Sequence, residues 1–530
     1  FGSRIELCSL PVAMPRRFHD WHHRLAELFA CLTSVGTLLV AVVEAGGSGE
    51  SGLEAEGDAA AGGASMTSAE LARTNAKKGF ELLGKGSFAA AEGRFRAAVE
   101  LAPQEASYHG YLGGVLAKSQ DYANAEGSLR TSLQLDPRDA EINANLGMVL
   151  ATKGDLAGAK QHYKAAIRLE PAKTTARYSL ASTLANAGDY TDAEEHFRAV
   201  LDVNPAHARA HFSLGKVLEH AGDRWGSEMS YRAAVRVDPK QAHFHASLGG
   251  VLEEGGDLAG ARKSYRAAVK RDAKQADVQI KLGGLLERSG DKAGAKKSFA
   301  AALRVDPQRA DVYSKLGAIL LDLGELKDAK KAVRAAIEVD PQLAQAHAIL
   351  GDVLFKQADQ EGAARSYETA LELNPKDADA LVGHGTILSG QGDILGAEAS
   401  LLSAIEIDPK KANAHAMLGA VHAERGKVPE ARESFKSAVS LSPGDANLRL
   451  ALGMFLAKSG EPDDAEEVLE EAVEAAPNNA EAHHLLGMVL GQRGDTSRAR
   501  EQLQAALRLE PAHGEARALL KELGGAKGEL

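Results

Sequence analysis

Cysteine is nearly missing from this chain. Its two copies, Cys8 and Cys31, both stand in the first thirty-odd residues. The remaining length therefore needs no disulfide and offers no zinc-thiolate site. Asn-x-Ser/Thr sequons are absent throughout, which argues against a glycosylated secreted protein. Aromatic residues make up 5% of the chain, so any core is built from thin layers and small side chains. Nor is there a run of positive charge interleaved with aromatics, and the net charge is −11 with both signs intermixed. Nucleic acid is not an expected partner. The glycine-rich phosphate loops, the dinucleotide fingerprint, the His-Glu-x-x-His metal motif and the nucleophile elbow cannot be found, and neither catalytic nor cofactor-binding residues are expected.

What is present is a regular proline. It stands at Pro103, Pro137, Pro171, Pro205 and Pro239, and again at Pro307, Pro341, Pro375, Pro409, Pro443, Pro477 and Pro511, always 34 residues apart. One mark is missing, at Ala273, and the register passes through it without an insertion. A fixed period of this length means stacked supersecondary units, each covering its neighbour's apolar face.

Within one unit, Ala140 to Lys173, the sequence explains itself. Leu146, Gly147 and Leu150 fall at helical spacing; Gly154 and Asp155 interrupt; Ala159, Tyr163 and Ala166 resume; Pro171 closes. Gly154 suits the left-handed residue that ends a helix, and Asp155 suits the cap that starts the next. Pro171 cannot continue the second helix. Gly147 and Ala159 let the helices approach, while Leu146, Leu150 and Tyr163 supply apolar area. At roughly 1.5–3 kcal/mol per buried large side chain, one hairpin is marginal alone and stable in a stack.

Thirteen such units run from Ala72 to His513. The small packing residue recurs as Gly79, Gly113, Gly147, Ala181, Gly215 and onward to Gly487, and the second-helix knob as Phe95, Leu129, Tyr163, Phe197, Tyr231, Tyr265, Phe299 and onward to Leu503. After them Gly514 to Leu523 reads as one more first helix. Lys521 holds its packing-glycine position, which suits a capping helix with a polar outer face. The fold class expected is all-α: an α-α superhelix, a right-handed solenoid of thirteen hairpins over residues 72–513 with a capping helix and tail over 514–530.

The pattern of Leu-Gly-x-x-Leu, second-helix Ala, an aromatic four residues on and a terminal Pro resembles the tetratricopeptide repeat family over about 440 of the 530 residues. The resemblance implies a scaffold whose first helices line an inner, concave surface at repeat positions 2, 5, 6, 9, 12 and 13. Most of those residues are small here, among them Gly110, Gly114, Ala144, Ser182, Ala246, Gly250, Gly284, Ala318, Ala348, Ala416 and Ala420. Larger groups form two candidate partner-binding clusters. Tyr178 and Phe212 hold one position in successive units and are expected to be neighbours. Leu450, Met454, His484 and Met488 form a second, mostly apolar patch.

Two family-specific modes fail on the residues. The carboxylate clamp needs Asn after the packing glycine, and that position holds Phe80, Gly114, Met148, Ser182 and Lys216. The asparagine ladder of the O-linked N-acetylglucosamine transferase arm is matched by Asn145, whereas Tyr111, Ser179, Ser213 and Ser247 stand at equivalent places. A non-enzymatic scaffold that binds proteins or extended peptides is expected, with a substrate-recruiting arm of such a transferase as the alternative. The histidines His109, His211, His245, His347, His415 and His483 share one repeat position, too far apart to share a metal, and are read as packing or rim groups. His207 and His211 lie one turn apart but lack a third ligand. No metal site is expected.

Ahead of the repeats, residues 1–23 are basic from Arg16 to Arg24, and 24–44 carry an apolar run, Leu25 to Val43, of 19 residues. This reads as a secretory signal or a membrane anchor, with an organellar presequence or a buried helix as other readings. Glu44, Glu50, Glu54, Glu56 and Asp58 follow it, so the repeats are expected on the translocated side, with a cytoplasmic chain as the alternative. Residues 45–71 have a flexible linker's composition.

Overall fold

The computed structural model describes residues 66–525. The apolar run 25–43 and the expected signal or anchor lie outside them. Among the described residues there are 27 helices and no strand, the all-α class the period predicts. The chain divides into two compact units, one ending at Arg271 and the other starting at Asp272. The division falls one residue before Ala273, where the repeating proline is missing.

The first unit holds six consecutive hairpins, from Ser68–Gly84 with Phe88–Leu101 to Ala242–Glu254 with Leu258–Arg271. The second holds seven, from Ala276–Arg288 with Lys292–Val305 to Ala480–Gln492 with Thr496–Leu509, and then the helix Gly514–Gly525. In each unit the two helices of a hairpin pack tightly, each second helix leans on the next first helix, and successive first helices also approach one another. The side on which first helices converge is the inner face of each α-α solenoid.

Local chemistry sets each boundary. In the hairpin Ala140–Lys153 and Leu156–Leu169, Gly154 takes φ 91°, and the Asp155 carboxylate accepts from the Gly158 N–H at 2.9 Å. The equivalent cap recurs at Asp223, Asp257, Asp291, Asp359 and Asp393. Two turns depart from glycine: Gln120 and Ala358 hold φ 64° and 61°, where a Cβ is costly.

The core follows the glycine-to-knob pairing. A Cβ on Gly249 would lie 2.5 Å from the Tyr265 ring, and one on Gly283 2.6 Å from Phe299. The ring fills the space a side chain would take, and Tyr265 and Phe299 are fully buried. The first helix begins at Ser68, a turn ahead of the repeat boundary expected at 72, because Thr67 and Glu70 form a reciprocal capping box. At the other end Ala516 is fully buried, with Leu519, Leu520 and Leu523 packed around Leu503 and Ala506, while Lys521 is exposed.

Candidate functional site

Tyr178 lies on the first helix Thr174–Asn186 and Phe212 on the next one, Ala208–His220. Both are half-buried. The Tyr178 ring stacks on His207 at 5.2 Å and meets the edge of Phe197 at 5.5 Å. Its hydroxyl is 3.3 Å from Ser213 Oγ, the neighbour of Phe212. Phe212 stacks on Phe244 at 4.9 Å and contacts His243 at 4.9 Å and Tyr231 at 5.5 Å. The two residues are thus linked through Ser213, each on its own aromatic base. Burial holds the His207 imidazole below its usual pKa, and its Nδ1 accepts from the Ala210 N–H at 3.0 Å. The result is a strip of ring faces and edges beside the half-buried serines Ser179, Ser213 and Ser247. Such a strip offers apolar contact to side chains and hydroxyls to a peptide backbone.

The second cluster, in the second unit, is less open than its sequence suggests. Met454 is 40% exposed and Met488 is half-buried, but Leu450 is 8% exposed and His484 3%. His484 is covered by His513, its ring 4.6 Å away. The available surface here belongs to the methionines.

The same covering brings together a group that sequence reading separated. Glu481, His484 and His513 each present one ligand atom, all within 4.8 Å of one another. Glu481 Oε2 is 3.1 Å from His513 Nε2, and Oε1 is 3.5 Å from His484 Nδ1. On the far side of its ring, His484 Nε2 is 3.9 Å from a Glu515 oxygen. The expectation of no metal site rested on repeat-equivalent histidines, which are far apart. Repeat position does not show that the last residue of a unit folds back over the fifth, as His513 does over His484 and His207 over Tyr178.

The repeat-equivalent histidines have a defined task. In His109, His211, His245, His347, His415 and His483, Nε2 donates to the carbonyl of the repeat proline six residues earlier, at 2.9–3.1 Å. Arg449 and Arg517 do the same for Pro443 and Pro511. The carbonyls concerned lie beyond the end of the preceding helix and lack a helical partner. His211 is thus engaged with the Pro205 carbonyl, while His207 is engaged as acceptor from the Ala210 N–H. Sequence reading missed Trp225, which is 74% exposed at the start of helix Arg224–Val237 with exposed Met229 one turn on. A signal was present: the matching positions of the other first-unit hairpins hold Ala89, Ala123, Ala157, Thr191 and Ala259, none of them aromatic.

The chain matches the model of the tetratricopeptide repeat over residues 77–140, 116–174, 145–195 and 178–223. It matches that of the Cilia and flagella-associated protein 70 C-terminal domain over 227–440 and 310–523. No curated protein matches it. Among solved structures it is similar to the APC/C hetero-tetramer Cut9-Hcn1, with 16% identity over 85% of this chain and 96% of that one and a TM-score of 0.43. It is also similar to PilF of Pseudomonas aeruginosa, with 26% identity over 40% and 97% and a TM-score of 0.36. A third is YrrB, described as a tetratricopeptide repeat protein with an unusual peptide-binding site, with 26% identity over 36% and 99% and a TM-score of 0.30. Period and hairpin geometry run through the two family matches, which between them cover residues 77–223 and 227–523, and the chain belongs to the tetratricopeptide repeat family.

Proposed function

We propose that this protein is a non-enzymatic scaffold whose first unit holds an extended segment of a partner protein along its inner face, at Tyr178 and Phe212. Tetratricopeptide repeats mediate protein–protein interaction, and this array follows that architecture. The observation that carries the reading is the aromatic strip. Tyr178 on His207 and Phe212 on Phe244 expose rigid ring surface on a face whose equivalent residues are Gly110, Ala144 and Ala246. Small neighbours let a backbone come close, while the rings, fixed by their bases, lose little entropy on contact. Met454 and Met488 offer the second unit an adaptable apolar contact of its own.

The test is capture of partners by the full chain and by Tyr178→Ala/Phe212→Ala. Loss of a defined partner at unchanged helical content supports the reading, and unchanged capture removes it. Sugar transfer to the captured protein, on adding a glycosyltransferase catalytic part, would favour the recruiting-arm alternative.

Placement at a membrane rests on residues 24–44 alone. Among the described residues no helix is long and apolar enough to cross a bilayer. Fractionation of cells carrying a C-terminally tagged chain distinguishes a membrane-bound or exported product from an uncleaved cytosolic one.

A further inference from the structure

We infer that Glu481, His484 and His513 form a binding site for a divalent transition metal ion of the zinc class, at the last full hairpin. Two imidazoles and one carboxylate suit borderline ions and disfavour calcium or magnesium. The three ligand atoms are already gathered. Tetrahedral coordination at about 2.0–2.1 Å places ligand atoms about 3.3 Å apart; here the three lie within 4.8 Å of one another, with Glu481 Oε2 3.1 Å from His513 Nε2 and Glu481 Oε1 3.5 Å from His484 Nδ1.

A second observation points to a ligand. His484 is 3% exposed, and its Nδ1 has no hydrogen-bond partner although it faces Glu481. A buried ring nitrogen left unpaired costs free energy, and coordination removes that cost. The opposite nitrogen, Nε2, faces Glu515 at 3.9 Å. That distance is beyond a hydrogen bond, and with the ring proton on Nε2 the Nδ1 lone pair is the one presented to the metal. The site is also particular to this hairpin, since other hairpins carry Ala348, Ala416 or Leu450 where this one brings His484.

His513 Nδ1 accepts from the Ala516 N–H at 3.3 Å. Coordination through Nε2 shifts the ring proton from Nε2 to Nδ1, so no proton is released and this long cap bond is given up. With three protein ligands, a fourth position is left for water or for an oxygen, nitrogen or sulfur of a partner.

The experiment is equilibrium dialysis of the full chain against Co²⁺, with Zn²⁺ as competitor. One equivalent of Co²⁺ displaced by Zn²⁺ is expected. His484→Phe, which copies the side chain at Phe212, should lose that equivalent, and Glu481→Gln should weaken it at least tenfold. His513→Asn, which removes the imidazole but keeps a capping side chain, should also lose it and stands as the second variant should His484→Phe fail to fold. His347→Asn, away from the site, should retain it. Absence of a stoichiometric Co²⁺ equivalent in the unaltered chain, or its retention in a folded His484→Phe or His513→Asn, overturns the proposal.

Discussion

The ring of Tyr178 lies stacked on the imidazole of His207 at 5.2 Å. The two stand at opposite ends of one repeat unit, and His207 also caps the following helix through its Nδ1. Surface and scaffold therefore share a residue. Tyr178→Phe keeps the stack and removes only the hydroxyl facing Ser213, so a stability loss of at most about 1 kcal/mol is expected. Tyr178→Ala removes the ring and should reduce partner affinity at least tenfold while helical content is kept. Binding titration with circular dichroism on the same samples separates the two effects.

Adjacent glycines on helix Ala242–Glu254 should respond oppositely. A Cβ on Gly249 meets the Tyr265 ring at 2.5 Å, whereas one on Gly250 meets only the Tyr265 hydroxyl at 3.8 Å. Gly249→Ala should destabilise the first unit by about 1–3 kcal/mol through overpacking. Gly250→Ala should be neutral or stabilise by up to about 1 kcal/mol through helix propensity. Urea unfolding midpoints check both.

Ala358 occupies a left-handed turn, φ 61°, where most units place glycine. Ala358→Gly should relieve about 1 kcal/mol of backbone strain and raise the unfolding midpoint. Amide exchange of the hairpin Ala344–Lys356 and Gln360–Leu373 should slow. No change in either measurement would mean the turn is unstrained.

Glu398 gathers three side chains: Lys427 Nζ lies at 2.8 Å and His422 Nε2 at 3.2 Å, and Arg425 also bonds to it. The hydrogen bond from Lys427, with the Arg425 charge, holds its carboxyl below the ordinary 4.5. A depressed carboxyl pKa stabilises the fold above its unfolded value, and that contribution fades as pH falls below about 4.5. Glu398→Gln should therefore lower the melting temperature at neutral pH and narrow the gap to the parent chain at acid pH. A gap independent of pH would contradict the role given to this cluster.

Much of the fold was legible because the period reports packing directly. Gly249 with Tyr265 and Asp155 with Gly158 follow from chemistry local to one hairpin. What escaped depends on the chain returning over itself. Position in a repeat tells which face a residue shares, not what covers it. Leu450 and His484 read as surface from their helix face alone; His513, 29 residues on, closes over His484. The same return seats His207 under Tyr178. The capping box at Thr67 was readable, with Glu70 three residues on, but it lies ahead of the first full repeat and the period is silent there. Trp225 stood out only against the small residues at its register in the first unit.

The central claim, that a partner lies along the inner face at Tyr178 and Phe212, is tested most directly by site-specific photo-crosslinking. A benzophenone amino acid would be placed at Ser182 on a first helix, one turn from Tyr178, and in a second protein at Arg198 on the exposed side of a second helix. The account predicts partner crosslinks at Ser182 that disappear with Phe212→Ala, and few at Arg198. Crosslinks confined to Arg198, or Ser182 crosslinks indifferent to Phe212→Ala, would contradict it.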